Sequence, residues 1–143
     1  GLGGIVFAGV AAAALVVTLV HVVRSTHGLA GASSQVGAIY GWAWFVGFLG
    51  QGLITAGVVN AGADAQVIAI VANGVAALVV GLLYMAGGAL WRDTALVAVG
   101  GWMIATAGAA SLLPMPSGYL VMALAGGGGM LAAAGYVHLR RRA

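Results

Sequence analysis

Apolar residues run along this chain in long blocks separated by short polar breaks. The pattern lacks the strict alternation of a half-buried strand and the single narrow stripe of a water-facing helix. Five blocks can be drawn, over residues 4–24, 36–59, 66–90, 95–113 and 118–139. Each is close to the ~20 residues that an α-helix needs to cross a hydrocarbon layer ~30 Å thick. The only charged residue in any block is Arg24, at the very end of the first. A transmembrane barrel would need alternating strands of ~10 residues, and a stretch such as 10–20 does not alternate. Lipid offers backbone N–H and C=O groups no partners, so each span must satisfy them internally. The expected fold is therefore all-α: a polytopic integral membrane helical bundle of five transmembrane helices, forming one transmembrane domain over 1–143.

The breaks between blocks have local causes. Asp64 stands before the third block and can accept backbone N–H groups at its start, and Asp93 and Thr94 can do the same for the fourth. Gly87, Gly88 and the segment Trp91-Arg92-Asp93-Thr94 divide what would otherwise be one block from 66 to 113. Placing Arg92 and Asp93 at mid-membrane would be costly, so a turn at the interface is expected there. Pro114 and Pro116 end the fourth block, with Ser117 a candidate cap for the fifth; Ser33 and Ser34 are candidate caps for the second.

Composition narrows the classes of function. AVILMFWYC account for 63% of 143 residues, there are 26 glycines, and DEKR account for 5%. Soluble domains carry about 25% charged residues. Five arginines and two aspartates, with no Lys or Glu, cannot cover a water-soluble surface. That excludes a soluble enzyme and a disordered tail. It also excludes a nucleic-acid partner, because the net charge of +3 comes largely from the terminal run Arg140, Arg141 and Arg142 rather than from a broad basic face. No cysteine is present, so thiolate metal sites and disulfides are out. The Ala, Gly, Val and Arg bias suggests a GC-rich bacterial or archaeal genome.

The arginines also set an expected orientation. With five spans, Arg24, Arg92 and the C-terminal run fall on one side, which the positive-inside rule makes cytoplasmic, leaving the N-terminus outside. The charge near the first block follows it, whereas a signal peptide carries its charge ahead, so this block is read as a retained span. The expected location is the cell membrane, multi-pass. A weak internal echo links 14–22 to 77–85, and Gly41-Trp42 to Gly101-Trp102.

Candidate chemistry is sparse. Small residues recur four apart at Gly37/Gly41, Ala43/Gly47, Gly52/Ala56, Ala77/Gly81, Gly101/Ala105/Ala109 and Gly129/Ala133, the spacing that lets membrane helices approach closely. The run Gly126–Gly129 points to a close crossing, a flexible point or backbone facing a cavity. Tyr40, Trp42, Trp44, Phe45, Phe48, Trp91, Tyr119 and Tyr136 have the positions of interfacial anchors. His21 and His138, on the first and fifth blocks at similar depth, could ligate a b-type haem axially, or, with His27, form part of a metal site; both also sit where an imidazole simply meets water. Gln51, Thr55, Asn73 and Thr106 could line a path for a small neutral solute, or join helices by hydrogen bonds. No intramembrane ionisable residue offers ion coupling, and no Ser-His-Asp set or carboxylate pair assembles at one depth, so no catalytic residues are assigned. The leading expectation is a non-enzymatic membrane protein acting through helix packing, as a homo-oligomer or as a subunit of a larger membrane complex in the lipid bilayer. A passive channel or transporter for a small neutral solute, and a haem b redox subunit, are the alternatives.

Overall fold

The computed structural model describes residues 32–140 together with Val17 and Val20, and all regular structure among them is helical. Val17 and Val20 are helical and exposed; the rest of the expected span over 4–24, with His21, Arg24 and His27, lies outside the described residues. The chain separates into two units, Gly1–Ile39 and Tyr40–Ala143. In chain order the helices are α1 (Ala32–Asn60), α2 (Ala65–Trp91), α3 (Thr94–Ser111) and α4 (Ser117–Val121), which runs through a π-helical turn (Met122–Gly127) into α5 (Gly128–Arg140). Among the described residues, four helical stretches, Ser34–Asn60, Ala65–Trp91, Thr94–Ser111 and Ser117–Tyr136, are long and apolar enough to cross a membrane.

The two aspartates act as caps. Asp64 accepts the N–H groups of Gln66 at 2.8 Å and Val67 at 3.0 Å, and Asp93 accepts those of Ala95 at 2.9 Å and Leu96 at 3.1 Å. Each satisfies donors that the first helical turn leaves without partners. The serines behave differently from expectation. Ser33 and Ser34 fall inside α1, which begins one residue earlier, and Ser117 is already helical, with Pro116 at the cap position and no side-chain capping bond. Gly87 and Gly88 are likewise not the break between the second and third described helices. Both are buried within α2, and the chain turns one residue after Trp91, at Arg92, whose φ of 56° is left-handed. The Gly88 carbonyl accepts the N–H groups of both Arg92 and Asp93, closing the helix end.

Packing in Tyr40–Ala143 inverts the pattern of a water-soluble domain. Every residue classed as buried is small: Ala77, Gly81, Gly100, Thr106, Ala107 and Ala110 among them. Among the described residues no large side chain is fully buried, while Trp42, Leu53, Leu124 and Leu131 are each about two-thirds or more exposed. Hydrocarbon tails are as apolar as leucine, so burying large side chains brings little gain in lipid. Helices there associate through close backbone approach and hydrogen bonds. The tightest crossing joins α2 to α3. A Cβ on Gly81 would lie 2.8 Å from the Gly100 carbonyl oxygen, and one on Gly100 would lie 2.5 Å from that of Gly81.

α1 joins α2 through side chains. The Tyr40 hydroxyl donates to the Leu83 carbonyl at 2.6 Å, and Gln51 donates to that of Ala72 at 3.2 Å. Val79 fills the space beside Gly47. Tyr40 meets Trp91 edge-on at 4.8 Å, and Trp44 meets Tyr84 at 5.7 Å. These aromatics therefore tie two helices together.

Candidate functional site

Of the expected candidates, the structure brings Gln51 and Thr55 together and sets Gln51 against Ala72, the neighbour of Asn73. Gln51 and Thr55 bond within α1: Gln51 donates to the Thr55 hydroxyl at 3.2 Å, and that hydroxyl donates to the Gln51 carbonyl at 3.0 Å. Asn73 donates to the Ala69 carbonyl at 2.8 Å. Thr106 is buried within α3. Asn73 also lines a cavity of about 10 Å³ with Gly74, Ser111, Met115 and Gly118. That is room for about one water molecule, and the Ser111 hydroxyl beside it donates to Ala107 at 2.8 Å. His138 is exposed near the end of α5. The other half of the expected haem pair, His21, lies outside the described residues.

A residue not singled out as a candidate holds α3 against the last helical stretch. Trp102 Nε1 donates to the Ala125 carbonyl at 2.8 Å. Ala125 lies in the π-helical turn, where hydrogen bonds run to the fifth rather than the fourth residue and the local register changes. The indole lies against Gly129, where any side chain would collide with it. Of the three roles open to Gly126–Gly129, close contact accounts for Gly129, and Gly126 is buried facing Thr106. The available sequence signal was a tryptophan placed away from the helix ends opposite a glycine run.

Between this tie and the ends of the helices, α3 and α5 enclose a groove of about 450 Å³. Leu96, Val99 and Met130 line it with apolar side chains, and the small side chains of Ala133 and Ala134 leave the space open. Tyr84, Asp93 and His138 supply its polar groups. Asp93 Oδ1 is occupied by the two capping bonds. Among the described residues, Asp93 Oδ2, the Tyr84 hydroxyl and the His138 ring have no hydrogen-bond partner. They differ in this from Tyr40, Gln51, Thr55, Asn73, Trp102 and Ser111, each of which donates a side-chain hydrogen bond to protein.

No family model, curated protein or solved structure matches this chain.

Proposed function

We propose that this protein is a non-enzymatic, multi-pass cell-membrane protein that works through helix packing, as an oligomer or as a subunit of a larger membrane complex, with its arginine-bearing ends in the cytoplasm. The observation that carries the reading is α1. Over Ser34–Asn60 no residue in its most apolar window is buried, although the helix carries glycines where a close partner could sit. Gly41, Gly50, Gly52 and Gly57 each have open space where a side chain would project. Between them stand Trp42, Phe45, Leu49 and Leu53, each at least half exposed. Small residues set beside large ones form the holes and knobs that a second membrane helix fills.

The side-chain donors of Gln51, Thr55 and Asn73 are taken up by neighbouring protein groups, which favours this reading over a solute path that would use them as donors to the solute. Cross-linking of the purified chain in mild detergent and in liposomes tests it. Self-association or a stoichiometric partner subunit is expected, weakened in Gly41→Leu and Gly52→Leu while the bundle stays folded. A monomer at all concentrations, with no co-purifying subunit, would refute it.

A further inference from the structure

The run Gly126–Gly129 holds more glycine than packing in the present arrangement uses. Gly126 faces Thr106 and Gly129 lies against the Trp102 indole, whereas a side chain at Gly127 or Gly128 would meet no atom within 4 Å. Glycine weakens a helix relative to alanine, so Gly128 calls for another cause. The adjoining turn supplies one. Met122–Gly127 is π-helical, and an α-helical turn in its place would hold one residue fewer. At fixed chain length, every residue beyond the turn would then occupy the place now held by its successor.

That slip preserves the packing residues of α5. Gly129 and Ala133 are half-buried, the first against Trp102 and the second in the groove that α3 lines with Leu96 and Val99. Each is preceded by a residue of its own type, the exposed Gly128 and Ala132. After the slip, Gly128 would meet the indole and Ala132 would take the place of Ala133. The groove wall would change all the same: Gly129 would replace Met130, and His138 would leave its place. Rewinding re-aims the carbonyls inside the turn, so the 2.8 Å bond from Trp102 Nε1 to the Ala125 carbonyl belongs to the π-wound form. Packed helices settle in discrete arrangements rather than deforming continuously. We propose that Met122–Gly127 is a two-register joint, latched in its π-wound form by Trp102, that exchanges Met130 for Gly129 in the wall of the α3–α5 groove. The joint involves only α3, α4 and α5, so it stands apart from the oligomeric reading of α1.

The chain has no cysteine, so Ala132→Cys and Ala133→Cys can each carry a single spin label. Collision of the label with dissolved oxygen, measured on the whole chain in liposomes, reports how far each position faces lipid. With no other change, the label at 133 should be protected and the label at 132 exposed. Gly129→Ala drives a methyl group into the indole in the π-wound form only, because Gly128 meets the indole in the other form. The order should then reverse, with 132 protected. Trp102→Phe removes the bond and should raise the share of the α-wound form about fivefold, the worth of one hydrogen bond, so that 132 gains protection. Gly135→Ala, the same change in open space beyond the turn, should leave the order intact. A helix merely loosened from α3 would expose both labels equally. Protection of 132 in neither Gly129→Ala nor Trp102→Phe therefore overturns the proposal, as does a reversal in Gly135→Ala.

Discussion

The sharpest test of the packing argument compares two adjacent glycines. A methyl group on Gly100 would lie 2.5 Å from the Gly81 carbonyl oxygen and 2.8 Å from the Met85 backbone nitrogen. Carbon–oxygen contacts between packed backbones lie at about 3.3–3.6 Å, so the helices would have to separate by close to 1 Å. Neither obstacle is a side chain that can swing away. Overpacking of this kind costs about 1–3 kcal/mol, and a gap of that size also forfeits a quarter to a half of each neighbouring dispersion contact. The same methyl on Gly101 would meet no atom within 4 Å. Both substitutions gain the same helix propensity, about 1 kcal/mol per Gly→Ala, so this term cancels in the difference. Gly100→Ala should therefore be less stable than Gly101→Ala by about 2 kcal/mol, and Gly101→Ala should equal or exceed the wild type. Reversible unfolding in mixed detergent micelles, followed by circular dichroism, measures both. If the two variants agree within about 0.5 kcal/mol, close backbone contact is not what holds α2 to α3.

Other expected outcomes are checked by the same unfolding measurement. Trp102→Phe should lose about 1 kcal/mol, the net value of a hydrogen bond, and Gly129→Ala should lose at least as much by displacing the indole. Asp64→Ala should cost about 1 kcal/mol and Asp64→Asn much less, because asparagine still accepts the Gln66 and Val67 N–H groups. Arg92→Gly should stabilise the chain by up to ~1 kcal/mol, since glycine adopts positive φ without steric cost; Arg92→Ala should give no such gain.

The described spans and the two aspartate caps were legible in the sequence because each follows from a single local rule. A block free of charge and long enough for a bilayer becomes a helix, and an aspartate ahead of it caps the first turn. Boundaries set by competing residues were harder to read. Ser117 resembles a cap, but Pro116 precedes it with φ −90° and ψ 0°, and Ser117 starts the helix instead. Gly87 and Gly88 look like a break, yet they serve as packing positions: Gly87 lies against Tyr40, and Gly88 against Val97 and the Asp93 carbonyl. Spacing of small residues shows that helices approach one another but not which face does so. Gly100 and Gly101 are adjacent, and only the first meets α2. The candidate site was the least legible. Asp93 and His138 are 45 positions apart, and their shared groove depends on a tie at Trp102 that no spacing rule announces.

The π-helical turn at Met122–Gly127 has a further effect on how this chain can vary. Such a turn holds one more residue than an α-helical turn, so everything beyond it lags by about 100° of rotation, one residue's share of 3.6 per turn. The face that α5 turns toward α3, with Ala133, Ala134 and His138, is therefore set by a phase offset as well as by the identity of those side chains. Removing a single glycine at 127 or 128, both in open space, would let the turn wind as an α-helix and keep that face in place, whereas α-helical winding at unchanged length would swing it away without altering any residue on it. Here the number of residues in one turn is itself a determinant of what the groove presents.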